Sequence, residues 1–478
     1  MEILSLTHKK GFQFYRLWNN LKEYSSFFGL LMIFLLIFSC TPEKSAPTSP
    51  DQDQTISPEE KTWLQNNAIT LDTTEYTGNY SDLIPLNEMI GDARIVALSI
   101  SSYGTHEFFT VSQRILDFLV QEKNFNIFAL QANFNECEYI NDYVLTGKGI
   151  LSDLQGGLIQ WTWDMEETPN RVLLWMWDTE EMTNMINWMQ IQNVGHQNEP
   201  VIYFAGFDII SPYAAIGNVI SYLNLVDSAN ARLAALTYTY FYRHFFHYPL
   251  ISNSLREFCR QYVVAMYDTL KNNQERYITL SSQEDYDFAL QNAYFALQAE
   301  EVFRSKDPAF KSSYMVDNIE YLMNRYGVDS KVVLFAHSDY LGNSGGSLGS
   351  QLKSKYGDQF KIIGFSFYNG EFSAASINPE INWKGNPCIH EAELPPQDSY
   401  EAYLRESERA AFMLNLRYPG NPPGSGWLDE TKMMRFIGHT YDVTIPGQLF
   451  YPESLRDFYD IIFHVQSVDA TKLLTIMP

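Results

Sequence analysis

The chain has 478 residues with 57 acidic and 33 basic side chains, so its formal charge is −24. Hydrophobic residues make up 45% of the chain and aromatic residues 15%, which is typical of a globular protein and excludes disordered and fibrous classes. The acidic excess argues against nucleic-acid binding, which requires basic surfaces. Four cysteines in a chain of this length exclude a scaffold built on disulfides.

The first forty residues are typical of a secretion signal. Basic side chains precede residues 27–38, an uncharged apolar run that is too short to span a bilayer but suits the hydrophobic part of a signal peptide. The run ends in Ser39-Cys40, which resembles a bacterial lipobox, where the cysteine is lipidated and becomes the first residue. The alternative is an ordinary signal in which this cysteine occurs by chance. We predict a lipoprotein signal peptide over residues 1–40 and a lipid-anchored protein of the bacterial cell envelope.

A polar, proline-containing stretch over residues 41–56 cannot bury apolar surface and is predicted to be a flexible tether. Ser57, Pro58 and Glu60 then have the spacing of a helix N-cap, first turn and capping-box partner. The folded body is therefore predicted over residues 57–478. Three cysteines remain after Cys40, an odd number, so at least one lies outside any disulfide. These are Cys137, Cys259 and Cys388.

Short apolar runs rich in β-forming residues alternate with helical periodicity along the body. Strands are predicted at 94–100, 127–132, 201–208, 332–337, 361–367 and 460–465, and helices at 106–120, from about 136, and at 178–193. Between about 212 and 325 the strand pattern fades, and helices are predicted at 238–248, 254–272, 283–303 and 314–325. This order predicts an α/β fold with a mainly parallel sheet covered by helices on both faces, and a helical subdomain inserted in it.

Ligands of open α/β sheets bind beyond the carboxyl ends of the strands. In this chain the loops at those ends carry a group of titratable and hydrogen-bonding side chains: Tyr103, His106, Glu107, Gln131, Asp208, His337, Asp339 and Tyr340. Such a set suits general acid–base chemistry. For Asp208 and Glu107 the structural alternative is favoured, because acids commonly cap a helix or lie in its first turn. His337 is favoured as functional, because an apolar residue would serve equally well at the end of a buried strand.

Two further patterns carry less weight. Gly345-Gly346-Ser347-Leu348-Gly349 matches the G-x-S-x-G of a nucleophile elbow, but an elbow follows its strand directly, and here seven residues separate His337 from Gly345. His390-Glu391, interpreted as part of a loop, has no second histidine at the spacing of a zinc helix. No cofactor or metal is predicted.

The chain resembles the erythromycin esterase family from about Leu83 to Leu474. The order and spacing of several short stretches carry the resemblance. They are 92–98, 104–109, 128–134, 143–147, 177–181, 187–189, 206–208, 331–337, 355–357, 364–365 and 435–442.

The resemblance implies an α/β core, a helical portion beside it and a cleft between them. It also implies a hydrolase of macrolide lactones that activates water with a histidine base and uses no covalent serine. Six positions of this chain correspond to those at which the family has Glu, His, a basic residue, Glu, His and His. They hold Ile100, Tyr103, Ser112, Gln131, His337 and Tyr340. Only His337 keeps the family residue, and His106 stands where the family usually has Arg.

These replacements change the expected chemistry. Ile100 cannot accept a proton, Tyr103 has an ordinary pKa of about 10, and Gln131 keeps the shape of Glu without its charge. The first hypothesis is an envelope lipoprotein of this fold that has lost or changed its hydrolase chemistry and binds a small apolar ligand. The second is a working ester hydrolase that uses His337, with His106, Asp339 and Tyr103 as its other groups. The third is an envelope scaffold that contacts proteins through its many aromatic residues.

Overall fold

The computed structural model describes residues 56–151, 175–196, 201–305, 307–378, 383–445 and 449–474. The predicted signal peptide, the predicted lipidation site at Cys40 and all of the tether except Ile56 lie outside these residues. Within the described ranges, no helix combines the length and the apolar character needed to cross a bilayer.

The strands form one large sheet and a separate two-stranded antiparallel sheet of β9 and β11. The strands are β1 Ile69–Thr70, β2 Ile95–Ile100, β3 Ile127–Asn133, β4 Tyr203–Asp208, β5 Val332–His337, β6 Phe360–Asn378, β7 Trp383–Glu391, β8 Ala411–Asn415, β9 Thr431–Arg435, β10 Thr440–Asp442, β11 Phe450–Ser454 and β12 Ile461–Val468.

The large sheet has the order β1-β8-β12-β6-β2-β5-β3-β4. The run from β12 to β4 is parallel throughout, whereas β8 and β1 add antiparallel strands at one edge. Every residue of β2, β3 and β5 is buried, as expected for parallel strands that are covered on both faces. The second half of β6 leaves this pairing and forms ladders with β7 and β10.

The helices of the described residues are α1 Pro58–Asn67, α2 Leu86–Ile90, α3 His106–Lys123, α4 Phe134–Thr146, α5 Glu180–Gln192, α6 Tyr213–Val226, α7 Ser228–His244, α8 Asn253–Asn272, α9 Gln274–Leu280, α10 Gln283–Ser305, α11 Pro308–Arg325, α12 Ser338–Leu341, α13 Leu348–Tyr356, α14 Tyr400–Arg405 and α15 Leu455–Phe458.

The chain divides into two compact units. Residues Ile209–Asp307 form a helical unit that contains α6 to α10. Its interior is rich in aromatic side chains; Phe241, for example, packs edge-on against Tyr248, whose hydroxyl donates a 2.7 Å hydrogen bond to the buried carboxylate of Glu300. The α/β unit holds the sheet and its helices, including α11, which follows the helical unit in the chain.

The predicted α/β class with a mainly parallel sheet is confirmed. All six predicted strands exist, although β6 extends to Asn378 and β12 to Val468, well past the predicted ends. The capping box of α1 is present, because Ser57 Oγ accepts from the backbone N–H of Glu60 while Glu60 accepts from the backbone N–H of Ser57.

Several strands were not predicted, and one predicted loop is wrong. β9 to β11 are short, partly exposed strands without a continuous apolar run, so the sequence pattern did not reveal them. β8 is buried and begins with four apolar residues, and it was missed although it carries this signal. His390 and Glu391 lie at the end of β7 rather than in a loop.

Candidate functional site

The candidate site lies at the carboxyl ends of β2, β3, β4 and β5. Ile100 and His337 are the last residues of β2 and β5 and are paired in register. Paired positions on neighbouring strands point to the same face, so the fully buried hydrocarbon of Ile100 lies beside the imidazole of His337. This position, where the resemblance leads one to expect an acid, therefore offers the histidine no carboxylate.

The loop after β2 brings Tyr103 onto this histidine. The two rings stack with their centroids 4.9 Å apart, and the indole of Trp177 packs edge-on against Tyr103 at 5.6 Å. A close approach at Gly104 fixes the loop, because a Cβ there would collide with the backbone carbonyl of Ser373. The backbone N–H of Ser373 instead donates a 2.9 Å hydrogen bond to the carbonyl of Gly104.

Gln131 joins the neighbouring strands through its side chain. Its Oε1 accepts from the hydroxyl of Tyr103 at 2.7 Å and from the backbone N–H of His337 at 3.4 Å, while its Nε2 donates to Asp208 Oδ2 at 3.5 Å. The side chain of Tyr103 is almost completely buried. Burial, reinforced by Tyr340, Asp339 and Asp208, raises the pKa of Tyr103 well above 10, so its hydroxyl stays protonated and acts as a donor.

His337 is 1% exposed, and both of its ring nitrogens have partners. Its Nε2 faces the backbone carbonyls of Ser101 at 3.3 Å and Ile437 at 3.1 Å. Carbonyls only accept, so the proton lies on Nε2. Its Nδ1 accepts from the backbone N–H of Asp339 at 3.2 Å and lies 3.2 Å from Asp339 Oδ2. The imidazole is therefore held by the backbone on both sides.

The carboxylates of the site have different environments. Asp208 is 2% exposed, and its Oδ1 pairs with Lys311 Nζ at 2.6 Å. Burial lowers the pKa of Lys311, but Asp208 and Tyr340 outweigh it, so that pKa is raised and the ammonium is retained. The side chain of Asp339 is 67% exposed. Partial desolvation acts to raise the pKa of its carboxyl, but His337 and His439 outweigh that effect, so the pKa is lowered. Lys311 Nζ also lies 5.4 Å from the ring centroid of Tyr340.

Six of the predicted residues thus come together in one connected cluster, called here the site cluster. Its members are Tyr103, Gln131, Asp208, His337, Asp339 and Tyr340. The expectation that Asp208 caps the following helix is wrong, because the N-cap of that helix, α6, is Pro212 and no side chain caps it.

His106 and Glu107 take part in a second cluster. His106 Nδ1 pairs with Glu181 Oε1 at 2.6 Å and its Nε2 with Glu75 Oε1 at 3.0 Å. Glu181 also accepts from the backbone N–H of Lys472, and Glu107 accepts from that of Asp469 at 3.0 and 3.2 Å. We call this group the C-terminal clasp. It consists of His106, Glu107 and Glu181 with residues 469–472.

Two side chains of the clasp have pKa values that differ from their ordinary ones. The hydrogen bond to Glu181 raises the pKa of His106 to about 9 against the opposing effect of burial, and burial raises the pKa of Glu107 to about 6. Glu107 lies in the first turn of α3, as its structural alternative predicted. Glu107 and Glu181 both accept hydrogen bonds from the backbone that follows β12.

The serine of the elbow-like pattern has a structural role. Ser347 is the N-cap of α13, where its Oγ accepts from the backbone N–H of Ser350 at 3.0 Å and donates to the carbonyl of Gly342 at 2.6 Å. Ser112, at the position where the family has a basic residue, is fully buried on α3, and its Oγ has no hydrogen-bond partner among the described residues.

Sequence reasoning missed Lys311, Trp177 and the two carbonyls that hold His337. Lys311 lies near the start of α11, more than a hundred residues from its partner Asp208, and nothing in its local sequence distinguishes it from a surface lysine. Trp177 was noted only as part of the family resemblance. Across the described parts of the chain, no three His, Cys, Asp or Glu side chains are grouped so that they could hold a metal ion.

The fold and the position of the site cluster define an α/β protein of the kind in which a mainly parallel sheet presents polar groups at its carboxyl edge. The family model described as erythromycin esterase matches residues 120–468. The chain therefore belongs to the erythromycin esterase family.

Two curated relatives support this assignment. The chain is 23% identical to the erythromycin esterase type II of Escherichia coli, with 67% of this chain and 80% of the relative covered. It is 19% identical to the putative hydrolase YbfO of Bacillus subtilis (strain 168), with 86% of this chain and 92% of the relative covered.

Solved structures share the fold. A protein described as a succinoglycan biosynthesis protein superposes with a TM-score of 0.71 at 21% identity, covering 88% of this chain and all of that chain (100%). A Bacillus cereus protein gives the same TM-score of 0.71 at 22% identity, with 87% and 98% covered. A mutant of the erythromycin esterase EreC in its open conformation gives 0.63 at 14% identity, with 83% and 96% covered.

Proposed function

We propose that this chain is a cell-envelope lipoprotein of the erythromycin esterase family that binds a small apolar ligand at the site cluster without hydrolysing it. The observation that carries the proposal is the state of His337. A general base needs a ring nitrogen with a lone pair directed at the substrate water. The Nε2 of His337 instead carries its proton toward two carbonyls, and its Nδ1 accepts from the backbone of Asp339.

The neighbours of His337 support the same conclusion. Tyr103 replaces the expected histidine base with a phenol whose pKa burial raises, so it cannot take a proton near neutral pH. Ile100 replaces the acid that would orient such a base. Catalytic groups that act as a unit lose most of their effect when several members are removed together.

The same replacements favour binding of a less polar ligand. Tyr103, Tyr340 and Ile100 place aromatic and hydrocarbon side chains where the family pattern has titratable ones, although Ile100 and Tyr103 are themselves buried. The Asp208–Lys311 pair neutralises the remaining buried charge. Asp339 is exposed and Tyr340 and Lys311 are only partly buried, so these three residues are the ones that a bound molecule can reach without rearrangement.

Binding can be tested by thermal stabilisation of the full chain against a panel of macrolides and simple esters. We expect a ligand that raises the melting temperature of the parent and fails to do so for Tyr340→Ala. The matched control is Tyr80→Ala, which removes a tyrosine that bonds to Glu122 at the opposite end of α3. Equal stabilisation of parent, variant and control by every ligand would contradict a ligand site at Tyr340.

A hydrolase remains the second candidate, because Asp339 Oδ2 lies 3.2 Å from His337 Nδ1, as in a carboxylate–imidazole pair. In that case Nε2 would have to leave the carbonyls of Ser101 and Ile437 and act on water. Turnover that disappears in His337→Ala would favour this candidate.

The envelope location rests on the apolar run before Cys40 and the polar residues after it. Lipidation of Cys40 would anchor the chain, and Cys40→Ser would move it from the membrane fraction to the soluble fraction. Retention of Cys40→Ser in the membrane fraction, or an N-terminal peptide without lipid mass, would contradict the lipoprotein assignment.

A further inference from the structure

A cysteine, a histidine and a serine meet on the extension of the sheet formed by β6, β7 and β10, away from the site cluster. Cys388 and His390 are two residues apart on β7 and therefore share one face of the ladder. Cys388 Sγ lies 3.4 Å from Ser376 Oγ of β6 and 3.5 Å from His390 Nε2, and Ser376 Oγ lies 3.3 Å from that same nitrogen.

From this geometry we infer that Cys388 is a reactive thiol and a modification site, which forms mixed disulfides with low-molecular-mass disulfides. His390 Nε2 also lies 3.1 Å from the carbonyl of Ala374, so its proton is on Nε2 and this nitrogen acts as a donor. The hydroxyl of Ser376 is a second donor. The hydroxyl of Ser376 and the N–H of His390, which is shared with the Ala374 carbonyl, both lie within reach of this one sulfur. These donors stabilise the thiolate over the thiol, and the thiolate is the nucleophile.

The reaction is a thiol–disulfide exchange. The Cys388 proton passes to solvent, the thiolate attacks one sulfur of the small disulfide, and a new S–S bond forms. The original S–S bond breaks, and the second half leaves as a thiolate that takes a proton from water.

The other cysteines of the described residues provide internal controls. Cys137 and Cys259 are thiols with no exposed surface. Burial raises the pKa of Cys137 well above 9 and that of Cys259 to about 11. Cys388 alone of these three is partly exposed.

The rings packed against the cluster are aromatic, and the charges of Glu393 and Arg435 act on one of them, Tyr441, in opposite directions. Tyr441 of β10 packs 4.6 Å from the ring of His390, Phe372 of β6 stacks on it at 5.6 Å, and the rings of Tyr441 and Phe372 contact each other at 5.3 Å. The carboxylates nearest in sequence occupy alternate positions and so point to the opposite face. These are Glu371, Glu391 and Asp442. Burial lowers the pKa of His390, so it donates as a neutral imidazole at neutral pH.

The test is a reaction of the full chain with oxidised glutathione, followed by peptide mass spectrometry across a range of pH. We expect a mixed disulfide at Cys388 and none at Cys137 or Cys259 in the folded protein. The rate should reach half its maximum at a pH below about 8.5, the ordinary cysteine value.

Variants separate this effect from simple exposure. Ser376→Ala and His390→Phe should each slow the reaction at pH 7 roughly 3- to 10-fold and move the midpoint to higher pH, because each removes one donor. His390→Gln keeps an N–H donor and should retain most of the rate, and Cys388→Ser should abolish the modification. A midpoint at or above about 8.5 that none of these variants moves would overturn the inference, as would modification of Cys137 or Cys259 as fast as Cys388. If His390→Phe fails to fold, Ser376→Ala still provides the comparison.

Discussion

Residues 101–107, the loop after β2 and the first turn of α3, supply members of both the site cluster and the C-terminal clasp, and these members differ in charge. In the clasp, His106 and the acids Glu107 and Glu181 are charged or titratable, and each has a specific partner. In the site cluster, Tyr103 and Gln131 form a neutral hydrogen-bonded pair on a histidine whose nitrogens are held by the backbone.

This difference separates residues that support the fold from residues that would perform chemistry. The clasp acids fasten the segment after β12, and losing them would leave backbone N–H groups without acceptors. The site cluster departs from the charged pattern of the family, but its hydrogen bonds are kept, because Gln131 still bridges Tyr103, His337 and Asp208. The structure therefore keeps the support of the fold, and we propose that the reacting groups have changed relative to the pattern that the family resemblance implies.

The largest expected effect is in the clasp. Glu181→Ala removes the acceptor of the Lys472 N–H and the main partner of His106, and Glu181 is itself 3% exposed. We expect a loss of roughly 2–4 kcal/mol in the free energy of unfolding, measured by urea denaturation. Glu180→Ala is the matched control, because its side chain is 54% exposed and its lysine contact is 3.7 Å long. It should change stability by less than about 0.5 kcal/mol; equal losses in both variants would show that the clasp is not specific.

The second effect depends on pH. The folded pKa of His106 is about 9, above its ordinary 6.5, so its stabilisation is complete below pH 6.5 and is lost as the pH rises through 9. We expect a loss of roughly 1–2 kcal/mol between pH 7 and 9.5, after allowing for partial exposure of the pair. Glu107 titrates near 6 and so does not interfere in this window. His106→Gln should flatten the slope, whereas His196→Gln at an exposed position should leave it intact.

The smallest effect is in the site cluster. Tyr103→Phe keeps the ring that stacks on His337 but removes the donor to Gln131, which should cost about 1 kcal/mol of unfolding free energy. Tyr80→Phe, which loses only an exposed bond to Glu122, should cost close to nothing. A larger loss for Tyr80→Phe than for Tyr103→Phe would contradict the importance of the buried Tyr103–Gln131 pair.

The parallel core could be predicted from sequence because β2, β3 and β5 are continuous apolar runs between amphipathic helices. The convergence of Tyr103, Gln131, Asp208 and His337 followed from the rule that ligands bind at the carboxyl edge. The strands β9 to β11 could not be predicted, because they are half-exposed and their register depends on partners elsewhere in the chain.

The division of the loop between two clusters was also beyond sequence reasoning. His106 and Glu107 follow Tyr103 within four residues of chain, but their partners are Glu181 and the backbone of residues 469–472. Lys311 shows the same limit, because its pairing with Asp208 depends on how α11 packs and on no local motif.

The most direct test of the central claim is hydrolysis. The full chain and His337→Ala would be incubated with macrolides and simple esters, and the products read by mass spectrometry for the addition of one water. A variant with four of the five departed positions returned to the family residue, Ile100→Glu, Tyr103→His, Gln131→Glu and Tyr340→His, would serve as the comparison. We predict no hydrolysis by the parent or by His337→Ala. Hydrolysis by the parent that is lost in His337→Ala would contradict the account and establish a rebuilt active site.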